Sequence, residues 1–195
     1  INHGVGKPIE VIPYGFSKRD INYNLARRLS EMYNPHNQPV VGYFGSTLEL
    51  QPLKPTLGDI SLLAEAMEMV WQKIPEAQLW LLGTPTKEVE KWANEKQNVF
   101  IFGLIPREQL LAYVQNFTVA TYPRRIDHKG RFSVKLIESM AMGVPIVCSR
   151  TTETQLVDKA KAGIFADTPH EFAQAILTIL QDKQLRDSLS NNART

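Results

Sequence analysis

The stretch RRIDHKGRFSVKLIESMAMGVPIVCS, residues 124–149, divides into a basic half and an apolar half. Arg124, Arg125, Lys129, Arg131 and Lys135 crowd toward its start, and from Leu136 onward the segment is almost uniformly apolar. Read as a helix, the apolar half begins at Ser133, a favourable N-cap residue. It ends at Gly143, whose missing Cβ suits a C-terminal cap, and it cannot continue through Pro145. PIVCS, residues 145–149, is then a short β-branched run bounded by Pro and Ser, the pattern of a buried strand. The unit is basic loop, helix, strand.

The same alternation recurs on both sides of this unit. PVVGYFGS (39–46) reads as a strand running into a Gly-Ser turn, and DISLLAEAMEMVWQKIP (59–75) as a helix with Leu62, Leu63, Ala66, Met67 and Val70 on one face. AQLWLLG, NVFIFG, TVATYP and GIFAD read as strands, and KEVEKWANEK, REQLLAYVQN and HEFAQAILTILQDK as helices between or after them. Residues 47–58, TLELQPLKPTLG, form a longer Pro-containing loop without clear periodicity. Strands that are apolar runs, alternating with helices, indicate an α/β fold: a Rossmann-like parallel sheet with helices on both faces.

Composition narrows the function. A chain of 195 residues suits one domain better than two. A net charge of +2 argues against a generic polyanion binder, so nucleic acid is not an expected partner. The lone Cys148 cannot form an internal disulfide, and its apolar strand makes it an inert hydrophobe. No apolar run is long enough to cross a bilayer and no signal peptide precedes the domain, so the expected location is cytoplasmic. The opening INHGVGKPIEVIPYGF, which starts on Ile1, reads like the middle of a larger protein.

In an open parallel sheet, ligands bind beyond the carboxyl ends of the strands. Among the loops that emerge there, residues 122–133 stand out: the basic cluster leads straight into a helix N-terminus, whose free N–H groups and dipole already favour an anion. A phosphate or diphosphate is the natural guest, and a solvated basic loop is the alternative. Lys135 and Glu138 are three apart on the next helix and share a face. They form either a simple surface pair worth about 0.3 kcal/mol, or parts of a binding site. Lys135 lies in the first turn, where a cation opposes the helix dipole unless an anion sits between them. Glu138, a turn deeper, can accept hydrogen bonds from vicinal hydroxyls such as those of a ribose. Together the two describe a nucleotide.

These residues carry a resemblance. The series VIPYGF, VVGYFGS, AQLWLLG, NVFIFGLIPREQLLAYV, TVATYP, KLIESMAMGVPIVCS and AGIFAD, in that order, resembles the C-terminal, donor-binding half of GT-B glycosyltransferases, family four in particular. KLIESMAMGVPIV follows that family's Lys-Leu-x-Glu-x-Met-Ala-x-Gly-x-Pro-Ile-Val pattern. The opening INHGVG is also similar to the xanthan-type glucuronosyltransferases, which share a Ser-x-Lys-Leu helix start. The resemblance implies a hexosyltransferase-like enzyme that moves a sugar from a UDP- or GDP-linked donor to an acceptor, without a metal or other cofactor. It implies that Glu138 holds the ribose and that Lys135, with the backbone of Ser133 and Val134, cradles the diphosphate. The Leu104–Ile105 turn would read the base, and Gly45–Ser46 would approach the phosphates. Residues 1–38 would be an interdomain linker and the start of the C-terminal domain, and 39–195 the nucleotide-sugar-binding domain. The acceptor, a saccharide or a lipid-linked saccharide, would be held by an N-terminal domain outside this chain. The isolated domain would then be inactive, and the full-length protein would associate peripherally with the inner membrane surface.

Two departures from the family pattern bear on catalysis. The glutamate expected eight residues before Glu138 is Gly130, and the arginine expected after the glycine of the first strand is Ser46, with Lys54 only loosely aligned to a following lysine. Arg124, Arg125, Lys129 or Arg131 would have to stabilise the departing diphosphate instead. A GT-B-fold nucleotide-sugar epimerase and a non-catalytic nucleotide-sugar-binding module are therefore the alternatives. Glu153 falls near the family's acidic residue beside the donor sugar, one position out of alignment. His3, His36, His128 and His170 are scattered without ligand spacing, so no metal site is expected. Trp71, Trp80 and Trp92 fit core packing better than a stacking platform, and the NFT sequon at 116–118 falls at a helix-to-strand junction.

Overall fold

A computed structural model describes residues 21–51, 56, 58–127 and 133–194. The strands are β1 Val40–Leu48, β2 Gln78–Pro85, β3 Val99–Ile101, β4 Val119–Tyr122, β5 Ile146–Cys148 and β6 Gly163–Phe165. They form a six-stranded sheet in the order β3-β2-β1-β4-β5-β6, with every adjacent pair parallel. The helices are α1 Tyr23–Tyr33, α2 Ser61–Trp71, α3 Lys87–Asn94, α4 Arg107–Val114, α5 Val134–Ala141, α6 Gln155–Ala160, α7 Pro169–Gln181 and α8 Lys183–Arg194.

Alternation along the strands feeds two cores. Val41 and Tyr43 of β1, Leu79 and Leu81 of β2, and Val119 and Val147 pack with α2 and α7 on one face. Val40, Phe44, Trp80, Leu82, Ala120 and Ile146 pack with α1, α4 and α5 on the other. Because both faces are covered, each strand reads as an apolar run. Trp80 and Cys148 are fully buried, and Trp71 and Trp92 lean on the first core, as packing residues would. Burial pushes the Cys148 thiol up to about 12, consistent with an inert hydrophobe. Asn116 of the sequon spends its amide on the carbonyls of Ala26 and Ala112.

Several elements depart from the sequence-based expectation. Part of the expected linker is α1, capped by Asn22, whose side chain accepts the Leu25 N–H at 2.9 Å. Tyr33 anchors it edge-on against Trp80, Phe100 and Phe102. The helix expected over 59–75 is shorter, because Asp59 stays outside as a bridge to Glu49 and takes the Ser61 N–H. The expected Gly-Ser turn lies inside β1, which runs on to Leu48 after a register shift between Phe44 and Thr47. The last expected helix ends at Gln181, and a further one follows, α8, capped by Asp182, whose carboxylate accepts from Leu185 N at 2.9 Å. Polar α8 survives as a helix by burying Leu189 and Ala193. Residues 1–20, Lys54, His128, Lys129, Gly130, Arg131 and their assigned roles lie outside the described residues.

Helix α5 forms as expected in outline. Ser133 precedes it in extended conformation, although its hydroxyl makes no capping bond. At the other end Gly143 has φ +69°, its N–H reaches Met140 O and the Val144 N–H reaches Ser139 O, a Schellman closure. A tight position elsewhere gives a stability test. A Cβ on Gly163 would stand 2.1 Å from the Ile146 carbonyl oxygen across the β5–β6 pair. Gly163→Ala is expected to destabilise by about 1–3 kcal/mol, seen as a lower urea midpoint at unchanged slope.

Candidate functional site

β1 and β4 are neighbours in the sheet, yet the chain leaves them in opposite directions, toward β2 and toward β5. At such a switch point the loops diverge and a crevice opens beyond the carboxyl ends. A cavity of about 270 Å³ lies there. Gly45, Ser46, Leu104, Ile105, Val134, Lys135 and Glu138 all line it, although they come from three separate parts of the sequence. Ser133 stands beside it at the head of α5.

The geometry rejects the simple Lys–Glu surface pair. The Lys135 ammonium turns under the end of β1, lying 5.1 Å from the Tyr43 ring centre and 5.8 Å from that of Tyr122. A Cβ on Gly45 would come within 3.2 Å of it, so a side chain at 45 would crowd this approach. Arg124 is buried at 8% exposure, with its guanidinium 4.2 Å from the Tyr122 ring centre and its backbone N–H on Ser149 Oγ at 2.9 Å. The Tyr122 hydroxyl donates to Glu153, itself buried. Two cations and one carboxylate thus share a pocket walled by two phenols.

That crowding perturbs the groups. Burial first, and then the Arg124 charge, pull the Lys135 ammonium down to about 7, against the opposing pull of Glu153. Burial raises both the Tyr43 and the Tyr122 phenol. Burial works against charge on Arg124, but the Tyr43 and Tyr122 oxygens prevail and hold it above its usual value.

Glu138, at 2% exposure, pairs with Arg107. Its Oε1 is shielded from solvent and, among the described residues, accepts no hydrogen bond of ordinary geometry apart from this ionic contact. The sequence motifs do not single out Arg107. A signal is nonetheless present, since it is a cation in the first turn of α4, the same electrostatic oddity that marks Lys135.

One expected phosphate ligand is diverted. Arg125 bonds Glu65 at 2.9 Å, faces Asp59 at 3.6 Å and donates to Ser61 Oγ, all at the start of α2. Carboxylates there compete for the guanidinium, and among the cavity-lining residues it does not appear. Asp127 ties the next part of the loop to Thr152, accepting from its hydroxyl at 2.8 Å. Among the described residues no three His, Cys, Asp or Glu side chains gather as metal ligands, and no helix is long and apolar enough to cross a membrane.

Residues 39–182 match the family model described as glycosyl transferases group 1. The chain belongs to this family. No curated protein matches the sequence. Among solved structures, this glycosyl transferase domain is similar to HepE of Anabaena in complex with UDP-glucose, with TM-score 0.74 and 20% identity over 95% of this chain and 51% of that one. WaaG, a glycosyltransferase involved in lipopolysaccharide biosynthesis, gives TM-score 0.74 at 16% identity, over 95% of this chain and 50% of WaaG. The C-terminal domain of LpcC, a group 1 family protein of Francisella tularensis, gives TM-score 0.67 at 14% identity, over 85% of this chain and 88% of that one. The glycosyl transferase chain thus spans about half the length of HepE and WaaG, and most of a domain that is C-terminal in its own protein.

The depressed Lys135 gives this group 1 domain a pH signature. Below about pH 7 the amine is charged in both folded and unfolded chains, and the folded chain carries the full desolvation cost. Between there and the ordinary value of 10.5, the unfolded chain keeps the proton and the folded chain does not, so stability rises with pH. Lys135→Met should therefore raise the thermal midpoint at about pH 6 and lose that advantage near pH 10.

Proposed function

We propose that this domain is the donor-binding half of a glycosyltransferase and holds a nucleoside-diphosphate sugar, UDP-linked by preference, in the cavity at the switch point. The observation that carries the reading is that Lys135 and Glu138, one turn apart on α5, face one cavity together with Leu104 and Ile105. In this reading the backbone at 104–105 meets the base, Glu138 accepts the ribose hydroxyls, and the diphosphate lies at the start of α5 against Lys135. HepE in complex with UDP-glucose supports uridine as the base to test first.

Catalysis here would be charge stabilisation on a departing diphosphate. The start of α5, the Lys135 ammonium and the Arg124 guanidinium present positive charge in a desolvated pocket, so little reorganisation is needed as the glycosidic C–O bond breaks. A lysine drawn down to about 7 stands between its two forms and becomes fully protonated when the dianion arrives, because the anion offsets the burial that depresses it. With these groups opposite the phosphates, the mechanism calls for no metal ion. Arg124 supplies the positive charge that Ser46, standing where the family pattern has an arginine, does not, while Arg125 braces α2. The acceptor and any general base come from a partner domain, so residues 1–195 alone bind the donor without transferring its sugar.

Two substitutions separate the roles. Lys135→Ala should weaken UDP roughly ten- to a hundredfold while barely changing uridine. Glu138→Ala should weaken uridine and UDP by similar factors, and 2′,3′-dideoxyuridine should be insensitive to it. Calorimetric titration of the folded variants reads both, and a folded Glu138→Ala variant that binds all three ligands as the parent does would remove the ribose from this helix.

A further inference from the structure

Arg107 holds a position that its own helix disfavours. It is the first residue of α4, with its charge at the positive end of the helix dipole, and the N-cap is Pro106. Its side chain is 55% exposed, while the Glu138 side chain it meets is 3% exposed. Arg107 therefore reaches from the mouth of the cavity to a carboxylate on its floor, and both line the same space as Leu104 and Ile105. A carboxylate so far from water needs a counter-charge. The guanidinium supplies it and in doing so covers Oε1, which has no other polar partner among the described residues.

A vicinal diol that is to hydrogen-bond Oε1 of this carboxylate must enter the volume the guanidinium occupies. We propose that Arg107 is the specificity-determining gate of the donor site: it caps Glu138 in the unliganded domain and is displaced by the ribose diol of an incoming nucleotide. This rests on the donor-site reading of the cavity. Displacement exchanges partners: Glu138 trades a cation for two hydroxyls, and Arg107 is left at the mouth of a cavity that Lys135 also lines. A nucleoside offers the freed guanidinium nothing, whereas a nucleoside diphosphate brings an anion to that mouth. The gate thus penalises ligands that carry the diol without the diphosphate, and selectivity arises from an internal competitor as well as from contacts to the ligand. Arg107 is well suited to this work, since a guanidinium matches a carboxylate or a phosphate and its stem is more than half exposed.

The test titrates the full chain and Arg107→Met, which keeps stem length and removes charge, with uridine, 2′,3′-dideoxyuridine, UDP and GDP. Loss of the competitor should tighten uridine about tenfold, leave dideoxyuridine unchanged, and narrow the preference for UDP over uridine. Unchanged or weaker uridine binding by folded Arg107→Met overturns the gate. Should that variant not fold, the side-chain Nε–Hε resonance of Arg107 in the parent protein decides: uridine at saturation should shift it to a solvent-exposed position, and an unmoved resonance overturns the gate. If the parent binds UDP while the gate tests fail, only the gate falls. If the parent binds neither UDP nor GDP, the donor-site reading falls and takes the gate with it.

Discussion

The structure turns on a carboxylate removed from water and an amine partly removed from it at the carboxyl edge of a parallel sheet. Lys135 and Glu138 project from one short helix into a region where neither charge is well hydrated. Each is tolerated for a different local reason. The ammonium rests near the faces of Tyr43 and Tyr122, whose ring quadrupoles offset part of its lost hydration. The carboxylate has a counter-ion delivered from α4. Separating the two members of an apparent Lys–Glu pair leaves each facing the same cavity with its own support.

Such an arrangement requires that α5 not shift. Its C-terminus is closed by the Gly143 and Val144 amides, and α8 crosses back so that Arg194 packs against Gly143, where a Cβ would lie 2.2 Å from the guanidinium carbon. Leu136 and Met140 seat it in the second core. Its start is set by the β4 edge, where the Arg124 N–H on Ser149 Oγ joins the ends of β4 and β5. The polar rim is therefore held by apolar packing beneath it, which allows charged groups to be placed before any ligand arrives.

The basic loop resolves into parts with different duties. Arg124 is buried among phenols, Arg125 is bound to the α2 start and Asp127 fastens the loop to Thr152. Treating the cations as one electrostatic patch ignores the carboxylates that draw Arg125 aside.

Apolar runs alternating with amphipathic stretches were enough for the doubly wound sheet, because strands covered on both faces need apolar side chains at every position. The α5 to β5 unit was legible for the same kind of local reason: Gly143 and Pro145 admit few backbones. What escaped was less local. Helix α1 and helix α8 are polar and become helices by packing a few side chains, such as Tyr33 and Leu189, against surfaces that distant segments build. The cavity members Gly45, Leu104, Lys135 and Glu138 could be named one by one along the chain, but only strand order brings them together, since β1 and β4 meet across more than seventy residues of sequence. The partners of charge were decided entirely by tertiary structure. Lys135 could equally have bonded Glu138, and Arg125 could have faced the cavity. Which ion pairs form depends on distances of a few ångströms and on how much water remains, and neither is written in the spacing of residues.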